Sequence, residues 1–291
     1  MREIVRQKQR KTSLSSTGTK IIIYTILGLA AVTTIFPYLW MVLASLKTGI
    51  EISTYPEQIF PKNPSFTAYR RAFEELNLWV GIKNTLVLVV FAVLFPPVVS
   101  AMGAFSFAKL VLPAKRVLLL VLLSSMMVPY AALMLPQYQI WQSLGFVGTL
   151  WPLIIPNFFG GALMTFFFIQ YMQGVPTDLF EAAKIDGAGY FSSLFHITLP
   201  MSTPILFYSA VTSMIGGLQI FGTYANYGAG VDDSLNFIVV RIYRIAFDSV
   251  SEPGGTQGLA CAMSWILFLI IGLLTLLMFK LGGWVQYGED S

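Results

Sequence analysis

The chain has 291 residues, of which 56% are hydrophobic and 11% charged, with a mean hydropathy of +0.71. A soluble globular domain carries about 25% charged residues, so a water-soluble enzyme or carrier protein is excluded at the outset. One histidine, one cysteine and a net charge of +4 leave no paired-cysteine metal pattern and no ordinary nucleophile–base pair.

Residues 1–20 form a basic tail with Arg2, Arg6, Lys8, Arg10, Lys11 and Lys20, which predicts a cytoplasmic N-terminus. Beyond it, Ile21–Leu46, Thr85–Ala108, Val117–Thr177, Gly187–Val231 and Pro253–Phe279 are free of Asp, Glu, Lys and Arg. About 20 apolar residues cross the hydrocarbon core. The third run is too long for one crossing and is interrupted by "LPQYQIWQSLGFVGTLWP", so it divides into two helices and a connection. The prediction is an all-α membrane domain over 21–291 with six spans, at 21–46, 85–108, 117–135, 150–171, 203–224 and 258–281. The first run is much longer than the apolar core of a signal peptide and is read as retained. Alternation then places Lys109, Lys115, Arg116, the interval 177–200 and the C-terminus in the cytoplasm as well. Lys280 can snorkel at a span end. The lone Cys261 reads as a packing residue in the last span.

The interval 177–200 is unusual because it gathers Asp178, Glu181, Lys184, Asp186 and His196. Thr177 can cap a helix beginning at Asp178, whose charge suits the positive end of the helix dipole. Gly187 is a natural C-terminal stop. A second helix is predicted over 190–197, with Tyr190, Leu194 and Ile197 on one face, ended by Leu199–Pro200. A short helix, a hinge and a second short helix result. A connector lying flat on lipid would favour Lys and Arg on its polar face. This segment is acidic, which favours a protein partner.

Enzyme chemistry is absent from the motifs. There is no phosphate-binding G-x-x-x-x-G-K-[ST] and no H-E-x-x-H; "GAGVDD" reads as a turn. Ion-coupled carriers place titratable groups within their spans, and these spans nearly lack them. This points to an energy source elsewhere and away from a stand-alone secondary carrier or channel, which is kept as the alternative reading. Asn157, Phe158, Phe159, Gln219, Phe221 and Tyr224 are the residue types that could stack on and hydrogen-bond a sugar, although Asn157 and Gln219 could equally bond between helices. The pairs Gly160–Gly161 and Gly216–Gly217 mark close packing or a bend. Arg241, Arg244 and Asp248 stand at i, i+3 and i+7 of an otherwise apolar segment, which reads as a helix lying in the outer interface.

"EAAKIDGAGYFSSLFHITLP" closely resembles the EAA motif of membrane permease subunits of ABC importers, matching at Glu181, Ala182, Ala183, Gly187, Ile197, Leu199 and Pro200. "EAAxIDGA" resembles the carbohydrate-uptake branch. "YPEQIFPKNPSFTAYRRAF", "NTLVLVV", "YRIAF" and "WVQY" are similar to maltose-type, binding-protein-dependent permeases, so the resemblance covers most of the chain. It implies a coupling helix that docks in a groove of a separate ATPase. Glu181 would meet a basic residue there, Asp186 would offer a second anionic anchor, and Ala182 and Ala183 would allow close approach. Gly187 would set the angle between the helices, and Leu199 and Pro200 would pass movement into span five. The implied partners are a second permease subunit, two cytoplasmic ATPase subunits holding ATP and Mg, and an extracytoplasmic solute-binding protein facing "TYANYGAGVDDS". The implied solute is a sugar or oligosaccharide; an importer of another small solute is the near alternative. No cofactor or metal is expected on this chain, and no nucleic acid.

Overall fold

A computed structural model describes residues 17–55, 57–74, 78–176, 178–222, 235–248 and 257–285, and among these every regular element is helical. The first helix, α1 (Thr17–Ser45), is apolar beyond Lys20 apart from a few hydroxyls. Its Thr33 and Thr34 hydroxyls donate back to Leu29 O and Ala30 O at 2.9 and 2.8 Å, so neither needs water. Two short helices follow, α2 (Gly49–Thr54) and α3 (Thr67–Glu74). The hub is α4 (Leu78–Lys109), whose 32 residues reach about 48 Å at 1.5 Å per residue. It begins seven residues before the span predicted from charge, because Leu78, Gly81 and Ile82 are buried against neighbours although Lys83 interrupts the apolar run.

The span expected over 117–135 is corrected by the structure. It is two helices, α5 (Lys115–Ser125) and α6 (Tyr130–Ser143), meeting at 93°. Pro129 is the cause: it has no N–H for the preceding turn and disfavours helical backbone at Val128. The segment predicted as a connection is thus largely helix. Next come α7 (Trp151–Ile154), a 3₁₀ turn over Ile155–Phe159, and α8 (Ala162–Gln173). The break between them is Gly160, with φ +71° and ψ −165°. A Cβ there would stand 2.8 Å from Ser100 Oγ on α4, and the same oxygen accepts the Gly161 N–H at 3.1 Å. Glycine is required on both counts. The bend predicted at Gly160–Gly161 is present. At the second pair only Gly217 is close-packed, 3.0 Å from Val89, while Gly216 faces open space.

After α9 (Asp178–Ile185) and α10 (Tyr190–Ser193), α11 (Thr203–Leu218) turns by 72° from the segment Tyr190–Met201. The helix predicted to reach 224 ends at Leu218. A short helix, α12 (Ile238–Tyr243), continues as a π-turn over Arg244–Asp248. The last helix is α13 (Gln257–Leu281). Among the described residues four helical stretches could cross a membrane by length and apolarity, or up to six if each bent pair counts as one span.

The core lies on α4, against α8 at one end and α11 and α13 at the other. Near Lys109 it is built from Ala101, Ala104, Phe105, Phe168, Ile169 and Met172. Toward Leu78 it is built from Ile82, Val89, Met214, Leu218 and Met263. The segment 235–248 is buried at its start, while Tyr243 and Phe247 further along are exposed, so the helix expected in the interface is only partly at the surface. Leu235, Phe237 and Val240 are fully enclosed, and Thr85 Oγ1 on α4 accepts the Ile238 N–H at 3.3 Å. Arg241 packs over Gly81, where a Cβ would meet its Cδ at 3.2 Å. The absence of a side chain at Gly81 makes room for it. By contrast, the most apolar stretch of α1 has no buried residue. That helix is held near its C-terminal end, where it packs on α13 and where Ser45 Oγ and Tyr69 OH lie 2.8 Å apart.

Candidate coupling segment and solute-facing residues

The Glu181 segment is assembled by backbone chemistry first. Glu181, Ala182 and Ala183 lie on α9, which ends in a doubly bonded glycine stop. The Ala188 N–H donates to Ala183 O at 2.8 Å and the Gly187 N–H to Lys184 O at 3.2 Å. This is the 6→1, 5→2 pattern that needs a left-handed residue, and Gly187 has φ +81° with nothing within 4 Å of an added Cβ. Its role is conformational, as the sequence predicted. Thr177, the predicted cap, lies outside the described residues.

The second helix differs from expectation in two ways. Leu194–Thr198 is a π-turn, closed by the Leu199 N–H on Leu194 O. The extra residue rotates the helix, so Leu194 is buried and Ile197 half-buried while Tyr190 is 73% exposed. The three do not share one face. Pro200 also fails to end the helix, which runs on as Leu199–Met201 and breaks only at Ser202. The π-turn explains this: a proline has no N–H to give, and a widened turn just before it relieves the ring's clash with the preceding carbonyls.

The segment is fastened to α4 at three points. Phe180, Leu194 and Leu199 pack into the cluster around Phe105 and Phe168. Lys109, the last residue of α4, donates to Val175 O at 2.9 Å and lies 4.4 Å over the Phe180 ring. Ser193 and Thr198 are buried as well, and Ala183 is half-buried. Glu181, Ala182 and Asp186 are exposed, and so are Ile185 (86%), Phe191 (75%) and Phe195. The outcome is an acidic, aromatic surface carried on an element rigidly joined to the hub helix.

The predicted solute-facing residues are partly brought together. Phe158 on the 3₁₀ turn lies tilted against Phe95 at 4.4 Å and edge-on to Phe91 at 6.0 Å, both on α4. Phe91 and Phe221 border the same enclosed cluster of Leu88, Ile154 and Phe237, and Phe221 lies 4.9 Å from Tyr243. Asn157 spends an amide N–H on Leu153 O at 2.8 Å, four residues back, and not on another helix as its chemistry also allowed. Gln219 is exposed at the end of α11. Tyr224 and the turn-rich stretch 223–234 lie outside the described residues. Sequence reading missed Phe91, Phe95, Ser100 and Lys109. Only Lys109 carried a signal, as the charge closing a long apolar run.

Residues 100–287 match the family described as binding-protein-dependent transport system inner membrane component. The chain belongs to that family of multi-pass inner-membrane proteins. It is 29% identical over 194 residues to the diacetylchitobiose uptake system permease protein of Streptomyces coelicolor, covering 66% of this chain and 64% of that one. It is 30% identical over 204 residues to the galactooligosaccharides transport system permease protein of Bacillus subtilis, covering 68% and 71%. The chain spans 66%, 64% and 65% of the length of three curated relatives that it matches, just under two thirds. Among solved structures it resembles a chain of a bacterial ABC transporter involved in import of the acidic polysaccharide alginate, with a TM-score of 0.76 at 18% identity over 92% of this chain and 98% of that one. At that identity the likeness is one of fold. The family is one of permeases and not of enzymes.

Proposed function

We propose that this chain is a permease subunit of an ATP-driven importer for a sugar or oligosaccharide, crossing the membrane six times with both termini in the cytoplasm. Each bent pair would count as one span. Related permeases named for diacetylchitobiose, galactooligosaccharides and lactose support the solute class. The observation that carries the coupling role is the outward surface of residues 178–200. Acidic Glu181 and Asp186 stand beside exposed Ile185, Phe191 and Phe195 on an element locked to α4. Exposed aromatics beside fixed charges favour a protein interface, and the acidic charge disfavours a lipid surface. The partner is a separate ATPase that holds ATP and Mg. Ala182 and Ala183 let its backbone approach, Gly187 fixes the direction of the second helix, and Leu199 and Pro200 lead the motion into α11. A second permease subunit and an extracytoplasmic solute-binding protein complete the assembly. Asn157, Phe158, Gln219, Phe221 and Tyr224 are proposed to border the solute path.

The test is charge reversal at the segment. Glu181→Lys replaces attraction to a basic groove by repulsion, an effect of several kcal/mol at an interface. Gly187→Val forces a β-branched residue into a left-handed conformation at about 1–3 kcal/mol. Both variants are expected to insert and pair with the second permease while ATPase co-purification falls at least tenfold. Wild-type recovery of the ATPase with both variants would reduce the segment to a surface connector.

A further inference from the structure

The corner between the segment Tyr190–Met201 and α11 bends by 72°, and its cause is a pair of prolines four residues apart. Pro204 has no N–H for the Pro200 carbonyl, and its ring would clash with that carbonyl in a straight helix. Each backbone carbonyl opened by such a bend still needs a partner. Through this corner the backbone serves only some of them. The Ser202 N–H donates to Thr198 O at 2.9 Å and to Leu199 O at 3.1 Å, and the Leu206 N–H donates to Ser202 O at 3.0 Å. Between these, Pro200 O and Met201 O are taken by side chains. The Thr203 hydroxyl donates to Pro200 O at 2.9 Å, in place of the missing Pro204 N–H. The Tyr171 hydroxyl reaches across from α8 and donates to Met201 O at 3.3 Å. Ser202 is fully enclosed and Thr203 nearly so, so water has little access to replace the Thr203 hydroxyl. A third hydroxyl at the corner, Ser202 Oγ, is buried and bonds to none of the described residues.

We infer that Thr203, braced by Tyr171, is a positioning residue that fixes the angle of this corner, so that the Glu181 segment and α11 move as one rigid lever. The inference rests on the importer reading above and adds to it the point at which a pull on the segment would be lost. α11 has 16 residues and reaches about 24 Å at 1.5 Å per residue. Gly216 stands about 20 Å along it from Thr203, so about 10° of slack at the corner would displace Gly216 by about 3 Å. That is enough to part packed side chains. Gln219, proposed to border the solute path, ends the same helix. A loose corner would therefore leave the proposed solute path out of step with the ATPase.

The experiment uses the importer assembled in nanodiscs with the ATPase subunits that co-purify with it. In a Cys261→Ser background, spin labels on Ser192→Cys and Gly216→Cys, both exposed positions, report the distance across the corner by pulsed dipolar spectroscopy. The probe is ATP with magnesium chelated, and gel filtration reports that each complex has assembled. With the native corner the distance is expected to stay narrow and to hold when ATP binds. Thr203→Val keeps the shape and deletes the donor, and should broaden the distribution by about 3 Å. Tyr171→Phe should broaden it less. Thr203→Ser restores the hydroxyl and should restore the narrow distribution. Ser202→Ala removes the hydroxyl that bonds nothing and should leave the distribution narrow. A lower melting temperature for Thr203→Val with an unchanged distribution would make the threonine purely structural and overturn the inference. A native-corner distance that changes by about 3 Å or more with ATP would make the corner a flexing hinge and overturn it too. Both results would leave the importer reading intact. Co-purification of no ATPase with the native chain would sink the importer reading itself, and this inference with it.

Discussion

Replacing Gly160 by alanine strikes the contact between α4 and the break before α8 from two directions. The backbone at φ +71°, ψ −165° lies in a region open essentially to glycine alone, and another residue there costs about 1–3 kcal/mol. The new methyl would sit 2.8 Å from Ser100 Oγ and 3.2 Å from Ser100 N. The hydroxyl can rotate away, but the backbone nitrogen cannot, so overpacking adds about 1–3 kcal/mol. Together Gly160→Ala should destabilise by about 2–6 kcal/mol. Gly161→Ala is the control. Its φ of −136° and ψ of 139° are ordinary extended backbone and its nearest neighbour would be Met164 Cβ at 3.9 Å, so it should cost less than about 1 kcal/mol. Thermal unfolding of the detergent-solubilised complex reads the difference, since 1 kcal/mol shifts Tm by roughly 2–4 °C in a chain of this size. Gly160→Ala should melt at least about 2 °C below Gly161→Ala. Adding Ser100→Ala should recover only part of the loss, because it relieves the oxygen contact but leaves the Gly161 N–H without its acceptor. Equal melting temperatures for the two glycine variants would refute the argument from backbone region and clash.

Thr85→Val deletes the acceptor of the buried Ile238 N–H, and a stranded donor should cost about 1–3 kcal/mol, again read as a fall in Tm. Ala114→Gly should stabilise by up to about 1 kcal/mol, because Ala114 caps α5 at φ +52°, where glycine carries no Cβ penalty; a lower Tm would contradict that account. In a Cys261→Ser background, a cysteine at Ser192 should be shielded from impermeant thiol reagents in intact cells and one at Ser53 labelled; labelling at Ser192 would reverse the proposed orientation. Uptake in proteoliposomes should require the ATPase subunits, and ion-gradient-driven uptake by the permease alone would contradict the proposed energy source.

What the sequence disclosed follows from which interactions are local. The ends of α1 and α13 were legible because a charge-free run of one apolar length has one solution in lipid. The glycine stop at Gly187 was legible because the left-handed turn is a property of a few consecutive residues. The bend at Pro129 was present in the chain as a proline but was absorbed into an apolar window that treated 117–135 as uniform. The π-turn at Leu194–Thr198 carries no residue signature of its own. It is imposed by Pro200 from downstream and by the packing of Leu194 and Leu199 against α4 from across the fold. Arg241 misled for a related reason: a charge was assigned to a surface, whereas the space left by Gly81, 160 residues earlier, leaves it half-buried. Of the proposed solute-facing residues, composition identified the aromatic types. Only the fold could place Phe158 on Phe91 and Phe95.

The single hub helix turns the two faces of the proposed importer into one mechanical object. α4 carries the Glu181 segment at Lys109 and holds the opposite end through Thr85 and the Ala72–Leu78 core, with Pro96 and Pro97 near its middle. For a beam of about 48 Å, a tilt of roughly 5° about the centre moves each end by about 2 Å in opposite directions. Two ångströms is enough to separate or join packed side chains, and the motion has no preferred sender. If nucleotide on the ATPase shifts α4 enough to change affinity at the far end, occupancy at the far end must shift nucleotide affinity by the same factor. A docked, solute-loaded partner would therefore be felt at the ATPase as a change in nucleotide binding, without any messenger other than the helix.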